Sequence, residues 1–134
     1  MDAERINAVS HTVIGCAIEV HQTLGPGMLE SAYEECLCYE LAQQGLEVRR
    51  QVSLPVVYKG VHLDCGYRMD LVVEGSIVIE LKTVDRLLPV HEAQLLSYLR
   101  LCGAPLGLLM NFHAAVLRHG LKRLANHFQD PFAP

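Results

Sequence analysis

Apolar residues recur at three- and four-residue steps between Glu4 and Leu24 (Ile6, Val9, Val13, Cys16, Ala17, Val20 and Leu24), the signature of one helix face. Gly25-Pro26-Gly27 ends that helix. A second helix is predicted from Met28 to Gln44, where Leu29, Ala32, Tyr33, Cys36, Leu37, Tyr39 and Leu41 crowd together and Gly45 stands in the terminating position. The period then drops to two. Leu46, Val48, Arg50, Val52 and Leu54 follow an alternating pattern, and Pro55 to Gly60 continues extended into a glycine turn. A further strand lies within Val61 to Glu74, centred on Tyr67 to Val73, and Glu74-Gly75-Ser76 turns it into Ile77 to Thr83 as a hairpin.

Pro89 opens a third helical run, with Val90, Ala93, Leu96, Tyr98, Leu99 and Leu101, closed by Gly103. Leu106 to Phe112 is almost wholly apolar, as expected of a strand covered on both faces and parallel to Ile77–Thr83. Beyond His113 the pattern is weaker: Val116 to Lys122 reads as an edge strand and Leu124 to Phe128 as a helical end. The order α-β-β-β-α-β around a mixed sheet predicts an α/β fold, and 134 residues suit a single domain with one core.

Composition narrows the class. With 51% hydrophobic and 19% charged residues the chain is expected to fold compactly. It has no apolar run of membrane-spanning length and no basic-then-apolar leader, which predicts a soluble, cytoplasmic protein with no membrane partner. Five cysteines at irregular spacing suit reduced thiols. Cys36 and Cys38 point in different directions on a helix and have no partner pair, which argues against zinc. A net charge of −4 supplies no global positive field, so a nucleic-acid partner must be met by local basic groups.

The run Val78 to Val84 breaks its own pattern. On a strand Val78, Glu80 and Lys82 share one face, and the preceding hairpin strand can bring Asp70 beside Glu80. An ion pair on a solvated edge is the common reason for a glutamate and a lysine two apart. Here Ile77, Val78, Ile79 and Leu81 make the strand apolar on both sides, where an unpaired charge costs several kcal/mol. Two carboxylates about 4 Å apart repel by a few kcal/mol at an effective dielectric near 20. A hard divalent cation resolves the conflict, and oxygen ligands favour Mg²⁺ or Mn²⁺ over zinc. Lys82 is then placed to orient or help deprotonate an attacking water, an arrangement suited to cleaving phosphodiesters.

Asp70, nine residues, then Glu80-Leu81-Lys82 resembles the D…(D/E)xK signature of the PD-(D/E)XK nuclease superfamily. From about Ile6 to Arg123 the chain also resembles the bacterial GxxExxY family, whose motif stands here as Gly27-Met28-Leu29-Glu30-Ser31-Ala32-Tyr33. Further similar segments are Gly66 to Val73, Ile79 to Val84, His91 to Leu99 and Gly107 to Phe112. Met69 stands where the superfamily has proline. The resemblance implies a restriction-endonuclease-like fold, a divalent-metal site and a nucleic-acid substrate, DNA or RNA. It makes Asp70 and Glu80 metal ligands, Lys82 the catalytic lysine, Glu30 an added carboxylate and metal ligand, and Gln94 with Tyr98 a polar pair beside the site.

Taken alone, each of these residues also has an ordinary reading. Glu30 suits the positive end of a helix dipole, Tyr98 a core aromatic and Gln94 a solvated helix face. His21 and His91 read as hydrogen-bonded structural residues. Arg49-Arg50 and the group Arg118, His119, Lys122, Arg123 are the basic clusters open to phosphate. Two functions follow: a Mg²⁺-dependent nuclease, or a module that kept the fold and binds protein or nucleic acid without cutting. A small domain without a targeting module often works as a homodimer or with a protein partner.

Overall fold

Asp2 caps the first helix, its carboxylate accepting the Arg5 N–H at 2.8 Å, so that α1 runs Ala3–Leu24. The computed structural model describes residues 1–126. Helix α2 spans Glu30–Gln43, two residues short of the expected start, because Gly25 to Leu29 form a separate turn. Strand β1 (Val48–Ser53) follows, then a small hairpin of β2 (Val56–Tyr58) and β3 (Val61–Leu63), then β4 (Arg68–Val73) and β5 (Ile77–Lys82). Helix α3 (Pro89–Cys102) starts on proline, with His91 Nδ1 accepting the Leu88 N–H at 2.9 Å. Strand β6 (Leu106–Asn111) is buried along its whole length.

The tail differs from expectation. Leu117–Gly120 form a 3-10 turn and Leu121–Ala125 form strand β7, so the strand begins later than expected and Leu124 belongs to it; Phe128 lies outside the described residues. The 3-10 turn exists because the chain must reverse against the end of β6. A methyl group on Gly120 would sit 2.7 Å from the main-chain oxygen of Asn111. Gly120→Ala is therefore expected to cost about 1–3 kcal/mol, read as a lower urea midpoint. At Gly107 the obstacle is the Leu95 side chain at 3.0 Å, which can move, so Gly107→Ala costs less.

Five strands form one mixed sheet in the order β1-β4-β5-β6-β7, and β2-β3 stand apart from it. The β5–β6 pair is parallel, running from Ile77 opposite Leu106 to Lys82 opposite Asn111, and its neighbours are antiparallel. This parallel pair requires the α3 crossover the apolar pattern implied. Helices α1 and α2 cover one face over Leu71, Val73, Ile77, Ile79, Leu81, Leu108 and Met110. On the other face α3 packs Leu95, Tyr98 and Leu99 on Val72, Val78 and Leu109. The result is a three-layer α/β fold of the restriction-endonuclease-like kind, with β6 buried throughout and β5 buried as far as Leu81.

Candidate functional site

The β4–β5 ladder pairs Val73 with Ile77, Val72 with Val78 and Leu71 with Ile79, and there it stops. One step further the strands fork. The Asp70 N–H donates to Glu80 Oε1 at 3.1 Å, and the Leu81 N–H donates to Asp70 Oδ2 at 2.9 Å. Two carboxylates thus take over hydrogen bonds that main-chain carbonyls make elsewhere in the sheet. The face alternation slips here as well: Met69 packs with Val72 on the α3 side, although a period of two would put them on opposite faces.

Glu80 is 5% exposed. Burial first, and the negative charge of Asp70 second, push its carboxyl up to about 9; the Asp70 N–H and the Lys82 ammonium pull the other way. Lys82, half-buried at the end of β5, is near enough for its charge to act on both Glu80 and Glu30. Glu30 stands exposed in the first turn of α2. Its carboxyl is raised by desolvation, then by Asp70, and lowered by Lys82. Tyr98 is buried, and its hydroxyl is raised by burial first and then by Glu80, with the Gln94 amide pulling the other way. Every site residue expected from the sequence therefore lies in one electrostatic neighbourhood. Asp70 and Glu80 touch, whereas Glu30, Gln94 and Tyr98 form the rim.

Among the described residues, no three His, Cys, Asp or Glu side chains gather as a ready-made cation cage. The pair Asp70–Glu80 still fits a hard divalent ion. It offers two carboxylates from adjoining strands, and its buried member is not a stable anion without added positive charge. Mg²⁺ commonly needs only one or two protein carboxylates, with substrate phosphate and water supplying the rest.

The turn before α2 explains a sequence spacing. The Tyr33 hydroxyl donates to the Gly25 oxygen at 2.5 Å and accepts the Met28 N–H at 3.1 Å, while its ring stacks on Phe112 at 4.5 Å. Gly27 takes φ 99°, a backbone state that suits glycine. Gly27 bends the chain and Tyr33 pins the bend, so Glu30 enters the helix at the rim of the acid pair. Tyr33 itself is core.

Three neighbours escaped the sequence reading. Glu34, buried on α2, accepts from Arg50 at 2.8 Å and from Gln51 Nε2 at 2.7 Å. Gln51 lies across from Asp70 with φ 48°, and its amide also reaches Asp70 Oδ1 at 3.4 Å. Asn111, 3% exposed at the end of β6, accepts the Val84 and His113 N–H groups at 3.1 and 3.2 Å and donates to the Val84 oxygen at 2.8 Å. It clamps the loop that leaves Lys82. Asn111→Ala strands these main-chain groups and is expected to cost about 2 kcal/mol or more in urea unfolding. An asparagine inside the apolar run Leu106 to Phe112 was a signal of the same kind as Glu80.

Two basic groups are already engaged. Arg50 pairs with Glu34 and Glu35, and Arg123 holds Asn7 at 2.6 Å and Ser10 at 3.1 Å. Cys36 and Cys38 are free thiols, and His21 Nε2 lies 2.7 Å from the Ala114 oxygen. Among the described residues no helix is long and apolar enough to cross a membrane.

A model of the PD-(D/E)XK nuclease superfamily matches residues 7–124. No curated protein and no solved structure matches the chain.

Proposed function

We propose, from the premise that this chain belongs to the PD-(D/E)XK nuclease superfamily, that it is a Mg²⁺- or Mn²⁺-dependent nuclease acting on DNA or RNA. Nucleases of this superfamily generally use divalent metals, and their substrates are nucleic acids. The observation that carries the reading is the fork at Asp70 and Glu80, where two carboxyl groups meet in a dry setting beside a lysine. Within the superfamily we assign the chain to the GxxExxY group, on the turn built by Gly27, Glu30 and Tyr33. We read residues 1–134 as one domain working in the cytoplasm, as a homodimer or with a protein partner.

In the proposed reaction Asp70 and Glu80 would hold the ion, and Glu30 would support it from the helix. When bound, the ion supplies a Lewis acid that stabilises negative charge growing on the phosphoryl oxygens. Lys82, whose ammonium lies among the neighbouring acids, would orient the attacking water, and its positive charge would favour that water's loss of a proton to solvent. Gln94 and the buried Tyr98 would form a polar rim that keeps bulk water from that side.

The chain, freed of metal with EDTA, is expected to leave assorted DNA and RNA probes intact, and to cleave at least one class after Mg²⁺ or Mn²⁺ is restored. Cleavage unaltered by EDTA would remove the metal from the reaction, whereas no cleavage with any ion or probe would return the chain to the reading of a non-cutting binding module. That second reading draws on the acidic net charge of −4.

A further inference from the structure

Tyr98 has a second neighbour. Its ring meets Tyr67 edge-on, with centroids 6.0 Å apart and planes at 61°. The two tyrosines belong to a groove of about 300 Å³ lined by Val56, Tyr67, Gln94, Ser97, Tyr98 and Leu101. Past Leu101 a second depression of about 450 Å³ opens, with Arg49 and His62 in its wall. Among the described residues Arg49 has no ion-pair partner.

Tyr67 is 43% exposed and immediately precedes β4, two residues from Met69 and three from Asp70. Its backbone is fixed, because the Leu54 N–H donates to its carbonyl at 2.9 Å, and Tyr98 braces its ring. An exposed aromatic held in place, opening onto a slot at the small end of ligand pockets, fits a flat partner of about one ring system. The slot begins at the residue that rims the acid pair, so its occupant is covalently close to any phosphate seated there.

We propose, resting on the nuclease reading above, that this groove stacks the unpaired nucleobase next to the scissile phosphate, and hence that the substrate is single-stranded. A base within a duplex has both faces covered by its neighbours and must be extruded before it can lie on Tyr67. Charge points the same way. At net −4 the chain gains little from counterion release, so a hold on nucleic acid has to come largely from stacking, which is tolerant of sequence. Arg49, beyond Leu101, meets the phosphate of a following nucleotide.

The test is fluorescence anisotropy in EDTA, which prevents cleavage, with fluorescein-labelled oligo-dT and oligo-rU single strands and a duplex of equal length. Single strands are expected to bind at least about tenfold tighter than duplex, with a shallow salt dependence. Tyr67→Ala is expected to weaken single-strand binding about 5- to 100-fold, Tyr67→Phe to keep it within about twofold, and neither to alter duplex binding. A 2-aminopurine in the strand is expected to be quenched by the wild type and by Tyr67→Phe but not by Tyr67→Ala. Unchanged binding by Tyr67→Ala, or equal losses on single strand and duplex, overturns the stacking site while leaving metal-dependent cleavage standing. No binding of any probe overturns the stacking site, while the nuclease reading stands or falls separately on cleavage after Mg²⁺ or Mn²⁺ is restored.

Discussion

Glu80→Gln is expected to abolish cleavage and, in EDTA at alkaline pH, to make the protein more stable. The carboxyl is buried and stands at about 9 in the fold, against about 4.5 when the chain is unfolded. The folded state therefore binds the extra proton. The stability that this proton contributes is complete below about pH 4.5 and drains as the pH rises toward 9. Glutamine carries no charge at any pH. It keeps an acceptor for the Asp70 N–H and a donor toward the Asp70 carboxylate. The variant should exceed the wild type by on the order of a few kcal/mol at pH 8.5, roughly 10 °C in melting temperature, and match it near pH 5. Millimolar Mn²⁺ should raise the wild-type midpoint and leave the variant unmoved. Cleavage should fall about a thousandfold or more, since an amide is a poor ligand for a hard cation. A variant that melts below the wild type in EDTA at pH 8.5 would mean that the buried acid is ionised and already compensated.

Lys82→Met should have the next largest effect on rate and little effect on stability. Methionine keeps the apolar stem that lies along the end of β5 and removes only the ammonium. Loss of the group that orients the attacking water and favours its deprotonation costs about 10²- to 10⁴-fold in turnover. The ligating acids remain, so Mn²⁺ titrated by calorimetry should bind within a few fold of wild type, with KM for the nucleic acid little changed. Cleavage equal to wild type would remove Lys82 from the chemistry. Because the charge of Lys82 also lowers Glu30 and Glu80, the variant should shift metal binding to slightly higher pH.

What could be read from the sequence divides by range. Elements whose side chains repeat with a clean period, such as Ile6 to Leu24 or Leu106 to Phe112, formed where expected, and the parallel pairing of β5 with β6 followed from the α3 crossover. Asp70 and Glu80 were legible because a short hairpin turn, Glu74-Gly75-Ser76, fixes which positions face each other. Their mode of contact was not, since it depends on the ladder ending at Leu71 and Ile79. Glu34 and Gln51 lie 17 residues apart and meet through the packing of α2 on β1, which no local period encodes. Asn111 reads as one more strand residue until the loop after Lys82 is seen folding back onto it. The β2–β3 hairpin left the main sheet because Leu54 turns to bond Tyr67 and so carries Pro55 to Leu63 outward.

The fork between β4 and β5 also constrains what the lineage can become. Asp70 and Glu80 are rungs of the sheet as well as reagents: each accepts a main-chain N–H that would otherwise be left unpaired in the interior. A descendant that abandoned the chemistry is not free to drift to alanine or valine at either place. It must retain an acceptor there, most simply asparagine and glutamine, so a silenced copy should still bear the outline of the acids it lost.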